Sequence, residues 1–267
     1  MNNYLKASCA LDERVRRYVN PQRILWTAGQ IQEPERLLEA ARGQTSGGSR
    51  PGAMLSSGAG ILLDFGMELH GGVQFITGWK GKGPELKKVR IRFGESASEA
   101  MGEPNNDHSV HDTLIEIPKI GWAEFGCTGF RFVRIDLATS DSELEIKELR
   151  AVSLMRELEW KGSFECSDKR LNEIWRIGAR TVQLCLQDYL WDGIKRDRMV
   201  WMGDMHPELM TASCVFGRLP VIERSMDLVR DEFPVPRHMN DICSYSLWWL
   251  VAQRDWFRLH GSWEYLQ

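Results

Sequence analysis

The chain reads as a multidomain protein of β-then-α order: an antiparallel, jelly-roll-like β-sandwich over residues 1–157, followed by a helical array over 158–267. Three observations predict this. From about Arg23 to Leu154 the apolar residues alternate in short runs broken by Gly, Pro, Asn and Asp, the pattern of antiparallel strands. After Trp160 they recur at helical spacing. With 267 residues, 43% hydrophobic and 27% charged, there is enough chain to bury more than one core.

The strand runs are RILWTAG, GILLDFG, GGVQFITGW, KKVRIRFGES, DTLIEIP, GFRFVRIDL and ELRAVSL. In RFVRIDL, Phe132, Arg134 and Asp136 alternate with Arg131, Val133, Ile135 and Leu137, so that one face is read as apolar and the other as charged. Gln44 to Gly60 is rich in Gly and Ser and is read as a mobile loop. Leu69 to Gly72, LHGG, is read as a tight connection whose glycines serve backbone geometry.

In the second half, Asp168 is placed to cap a helix from about Lys169 to Leu186, with Leu171, Ile174, Trp175, Gly178, Thr181, Val182, Cys185 and Leu186 as its buried stripe. A second helix is expected from Met205, so that Pro207 falls in its first turn, to Phe216 before Gly217. A third spans Pro220 to Arg230. Pro234 and Pro236 break the chain, and Asn240 or Asp241 caps a fourth helix, apolar nearly all round. Gly261 and Ser262 end it and start a fifth, SWEYLQ, too short to support itself.

The 34 basic and 37 acidic residues leave a formal charge of −3 with no long run of either sign, which excludes the electrostatic footprint of a nucleic-acid binder. No apolar stretch has membrane-spanning length, and MNNYLKASCA lacks the apolar centre of a signal peptide. The chain is therefore expected to be soluble and cytoplasmic, a secreted longer form being the alternative. The six cysteines never form a CxxC pair and are read as free, buried thiols. Eight of the eleven tryptophans lie from Trp160 onward, so that half is the candidate for aromatic-walled binding of a neutral small molecule.

Between the first two helices, Asp188, Asp192, Asp197, Asp204 and Glu208 share one segment with Lys195, Arg196, Arg198, Trp191 and Trp201. A connection this long between helices signals function. Carboxylates accept from sugar hydroxyls and move protons, indole faces cover the apolar side of a sugar ring, and arginines orient the acids. By composition a glycan site and a structural ion-pair knot remain equally open.

WDGIKRDRMVWMGD resembles the catalytic-region signature of the α-L-rhamnosidases of glycoside hydrolase family 78, an acidic residue followed by CPQRDER, two residues and WTGD. LLDFGMELHGGVQF, RIRFGESASEAM and GFRFVRIDL look like that family's sandwich, and GSFECSDKRLNEIW looks like the entry to its helical domain. The resemblance implies an (α/α)6 toroid, represented here by its N-terminal portion, and inverting hydrolysis of terminal α-L-rhamnosides by two carboxyl groups about 6.5 to 9.5 Å apart. It places the general acid at Asp197, where the family has a glutamate, and substrate contacts at Asp192, Asp204, Trp201 and Arg196. Asp241 is read either as a helix cap or as a further sugar-binding acid. The family's general base has no matching residue, which implies a truncated chain. A non-catalytic carbohydrate-binding or interaction module is the alternative.

No cofactor is implied, and the partners expected are a small-molecule rhamnoside, neither nucleic acid nor membrane, and a second copy bound through unpaired helices. Asn105, Asn106, Asp107, His108 and His111 share a loop read as plain turn rather than metal site. His206 is read as a cap or surface residue. Of Trp248 and Trp249, one is core and the other is free to line a pocket.

Overall fold

The computed structural model describes residues 12–40, 50–103 and 111–267. They form two compact units, one of Arg16–Leu154 and one in which Met155–Gln267 is joined by the segment up to Val15.

The strands are β1 (Arg14–Val19), β2 (Arg23–Ala28), β3 (Ile31–Gln32), β4 (Ala53–Ser56), β5 (Gly60–Thr77), β6 (Leu86–Gly94), β7 (His111–Pro118), β8 (Gly121–Leu137) and β9 (Glu143–Arg156). All ladders with a described register are antiparallel. GILLDFG and GGVQFITGW, read separately in the sequence, are one strand. The first part of β5, Gly60 to Asp64, lies between β2 and the end of β8; its last part, Gly71 to Thr77, lies between β9 and the start of β8. β5 and β8 thus pass through both layers, β2-β5-β8-β6-β7 and β3-β4-β9-β5-β8, with β1 on β9.

The bend falls where the register breaks, between Asp64 and Leu69 and between Gly71 and Val73. LHGG is therefore a bulge inside a strand and not a connection. A Cβ on Gly72 would stand 2.3 Å from the Gly126 carbonyl oxygen, so only glycine allows the strands to approach there. Phe130 meets Phe93 and Phe65 edge-on at 5.0 and 5.7 Å in the core. Beside the bend, the fully buried Asp64 carboxylate accepts from Arg23, from Arg131 Nε at 2.8 Å and from the Gly66 amide at 2.7 Å. Burial raises its pKa, but these donors outweigh that and hold it at about 2.

A further expectation for this unit is corrected. Ala53 and Leu55, inside the segment read as a mobile loop, are wholly buried in β4, because pairing with Leu144 and Ile146 of β9 turns them inward. Of the residues weighed as a metal loop, Asn105, Asn106, Asp107 and His108 lie outside the described residues, and His111 opens β7. Among the described residues no group of three or more His, Cys, Asp or Glu side chains is arranged to hold a metal.

The helices are α1 (Ala97–Met101), α2 (Lys169–Cys185), α3 (Met202–Val215), α4 (Pro220–Glu232), α5 (Cys243–His260) and α6 (Trp263–Leu266). Asp168 caps α2 as expected, its carboxylate accepting from the Arg170 amide at 2.8 Å. Only part of the predicted stripe is buried, Val182, Cys185 and Leu186; Leu171 and Ile174 face solvent. Helix α3 starts at Met202, ahead of the expected Met205, because the Asn240 side chain caps the Met202 amide at 3.1 Å and Trp201 O accepts from Met205 N at 3.0 Å. Pro207 then lies within the helix, with Gly203 four residues before it.

Asn240 and Asp241 do not cap α5. Both have positive φ in a short turn, Ile242 stands at the N-cap position, and α5 starts without a side-chain cap. Nor is α5 buried all round, since only Ala252 and Trp256 are. No cysteine among the described residues is disulfide-bonded, but only Cys185 is buried; Cys127, Cys214 and Cys243 are exposed, contrary to expectation. No described helix is long and apolar enough to cross a membrane.

Candidate active site

The segment between α2 and α3 is held by its backbone. Trp191 N donates to Cys185 O at 3.0 Å, and Leu190 N donates to Ser225 Oγ on α4 at 2.8 Å. Asp192 closes the loop at its neck: its amide donates to Met199 O at 2.9 Å and its carboxylate accepts from Met199 N at 3.0 Å. At the tip Asp197 and Arg198 have φ of 52° and 57°, a left-handed pair that costs non-glycine residues about 1–2 kcal/mol each and is found mostly where function demands it.

Three of the carboxyl groups converge. Glu208 sits one helical turn after Asp204 on the same side of α3. Burial, then the negative charges of Asp204 and Asp192, push its pKa up to about 8. Asp192 is also raised, chiefly by burial and further by Asp197 and Asp204. The buried Cys185 thiol is pushed up to about 12 by burial and then by Glu208 and Asp192. Tyr245 of α5 is raised by burial and by Asp204; its ring meets Trp201 edge-on at 6.2 Å and lies on Gly203, where a Cβ would come within 2.3 Å of Cε1. Beside it, His206 shares a 3.0 Å hydrogen bond with Asp255 and packs on Trp248 at 5.2 Å.

The structure thus brings together Asp192, Asp204 and Trp201 of the residues singled out from the sequence. Asp197 lies at the exposed tip, its carboxylate 3.6 Å from Arg196 Nε. Arg196 is itself mostly exposed. Arg196 thus faces Asp197, while the Asp192 carboxylate accepts from the Met199 amide. Asp241 stands apart, paired with Arg237 at 2.7 Å. The residue that sequence reasoning counted but did not select is Glu208. Its signal was the four-residue spacing from Asp204 on a helix.

Residues 159–259 match the family model described as the bacterial alpha-L-rhamnosidase 6 hairpin glycosidase domain. An alpha-L-rhamnosidase of Formosa agariphila is 23% identical over 130 residues, 48% of this chain and 13% of that protein. Among solved structures, a rhamnosidase from Klebsiella oxytoca with rhamnose bound superposes with a TM-score of 0.76 at 17% identity, over 95% of this chain and 54% of that one. A GH78 family rhamnosidase of Bacillus sp. GL1 follows with a TM-score of 0.67 at 22% identity, over 87% of this chain and 25% of that one. This chain therefore spans about half the length of the first and a quarter of the second, and at these identities the two structures establish the fold.

Proposed function

We propose, from the membership of residues 159–259 in the bacterial α-L-rhamnosidase six-hairpin glycosidase family, that this chain forms the acid side of an inverting site for terminal α-L-rhamnosides. In this reading residues 1–157 are the sandwich domain and 158–267 the N-terminal portion of an (α/α)6 catalytic domain. Asp197 at the strained tip protonates the departing glycosidic oxygen. Asp192 and Asp204 accept from the sugar hydroxyls, Trp201 covers an apolar ring face, and Arg196 orients Asp197. Asp241 reaches the sugar only by releasing Arg237. The base that activates water on the opposite face has no counterpart assigned here.

The observation that carries the reading is that Asp192 and Glu208, both in the matched segment, hold their protons more tightly than ordinary carboxyls, by burial first and further by the charge of Asp204, with no cation among the causes for either. A structural knot would pair such acids with arginines. A second reading follows from the same observation: Glu208 is protonated near neutrality, as a general acid must be, and donates the proton in place of Asp197. Calorimetric titration with L-rhamnose tests the site. Saturable binding, weakened about tenfold or more by Asp204→Asn, is expected. No binding to the unaltered chain refutes it. Weaker binding above pH 8, abolished as a pH effect by Glu208→Gln, selects the second reading.

A further inference from the structure

Helix α3 opens on a residue that cannot cap it. The first amides of a helix have no partner within it, and the position before them is ordinarily filled by Ser, Thr, Asp or Asn, whose side-chain oxygen accepts from one of them. Here that position is Trp201, which makes no side-chain cap of its own. An indole donates and does not accept. The missing oxygen comes from the turn before α5: Asn240 Oδ1 accepts from Met202 N at 3.1 Å, while its Nδ2 donates to Val200 O at 3.0 Å. One partner can only donate and the other only accept, so the carboxamide has a single orientation.

The two bonds have different consequences. The first closes the end of the helix. The second has no part in capping, because Val200 O and Met202 N belong to the two peptide planes that meet at the Trp201 Cα. A carboxamide bound to both holds φ and ψ of Trp201, at −99° and 113°, and with them the direction in which the indole leaves the chain. Trp201 O in turn accepts from Asp204 N at 3.1 Å, which ties the first-turn acid to the same planes. Asn240 is itself held. It and Asp241 have φ of 50° and 58°, a left-handed conformation that Asn and Asp tolerate better than most residues. The Asp241 carboxylate accepts from Arg237 Nη2 at 2.7 Å, and Met239 N donates to Ser246 Oγ on α5 at 3.1 Å. Next to Ser246 on that helix, Tyr245 meets the Trp201 ring edge-on at 6.2 Å.

We infer that Asn240 is a positioning residue of the sugar site. It supplies the cap that Trp201 lacks, which leaves the cap position to an indole, and its second bond aims that indole and Asp204 at the sugar. The inference rests on the reading of Trp201 and Asp204 as sugar contacts.

Asn240→Asp separates a positioning residue from a cap. Its carboxylate still accepts from Met202 N, favourably so at a helix N-terminus, but cannot donate to Val200 O. L-Rhamnose is neutral, so the added charge does not act on the ligand directly. The readouts are calorimetric titration with L-rhamnose and fluorine NMR of the full chain carrying 5-fluorotryptophan, with the Trp201 resonance assigned through Trp201→Phe. Asn240→Asp is expected to keep the parent unfolding midpoint within about 2 °C, to displace or broaden the Trp201 resonance, and to weaken L-rhamnose binding about tenfold or more. Asn240→Gly keeps the left-handed backbone and loses both bonds; the same losses are expected, with a midpoint lower by about 2–4 °C. A parent Trp201 resonance or parent binding in Asn240→Asp overturns the proposal and leaves Asn240 a helix cap. Failure of the unaltered chain to bind L-rhamnose sinks the sugar reading separately, and the Trp201 resonance then decides alone: displaced in Asn240→Asp, it supports the placement of the indole by Asn240, and unmoved, it overturns it.

Discussion

Replacing Glu208 by glutamine should make the helical unit more stable, by an amount that depends on pH. In the folded chain the Glu208 carboxyl is held at about 8, against an ordinary 4.5, first by burial and then by Asp204 and Asp192. Below pH 4.5 it is protonated whether the chain is folded or not, so it behaves as a neutral side chain and glutamine should match it. As pH rises toward 8 the unfolded chain ionises while the folded one keeps its proton, and the stability present at low pH is progressively lost. The interval from 4.5 to about 8, at 1.36 kcal/mol for each tenfold step in proton affinity, corresponds to about 5 kcal/mol as an upper bound. Partial access of the side chain to the groove lowers that figure to roughly 2–4 kcal/mol. Urea unfolding followed by tryptophan fluorescence at pH 4.5, 6 and 8 measures it. Glu208→Gln should equal the parent at pH 4.5 and exceed it increasingly at pH 6 and 8. A difference that stays constant with pH refutes the reasoning, because it means that Glu208 titrates as an ordinary carboxylate and holds no proton for catalysis.

Other substitutions probe the sandwich and the site separately. Asp64→Ala leaves Arg23 and Arg131 without their shared buried acceptor and should cost the sandwich about 3–5 kcal/mol in urea unfolding; a loss under 1 kcal/mol would show that the bend is held by packing alone. Because Asp64 is held near 2 against an ordinary 3.8, its contribution is complete above pH 3.8 and disappears as pH falls toward 2. Gly203→Ala puts a Cβ against the Tyr245 ring. It should cost about 1–3 kcal/mol and weaken L-rhamnose binding through the displaced ring and Trp201; unchanged thermal stability and binding would show that Tyr245 yields freely.

What the sequence made legible and what it concealed divide along physical lines. The Asp168 cap is a local signal and appears where it was read; the alternation in RFVRIDL holds for Arg134 and Asp136 against Val133, Ile135 and Leu137, while Phe132, read with the charged face, is buried with Leu62 and Ala100. β4 was missed because nothing within Ala53–Ser56 marks it as buried; the burial comes from β9, some ninety residues along the chain. The early start of α3 has the same origin, an amide capped by Asn240 from beyond α4, and that task takes Asn240 away from the cap of α5 expected of it. The site divides likewise. Asp192, Asp204 and Trp201 are marked by a motif and converge. Glu208 is marked only by its spacing from Asp204, and its distinguishing property, a proton kept at neutral pH, arises when α2 packs over α3 and removes water from the carboxyl. A carboxyl group's role is set by the charges and the solvent around it, and those are properties of the packed helices that no residue type or spacing carries. The acids in this segment are therefore best ranked by their surroundings, and on that criterion Glu208 stands beside Asp197 as a candidate proton donor.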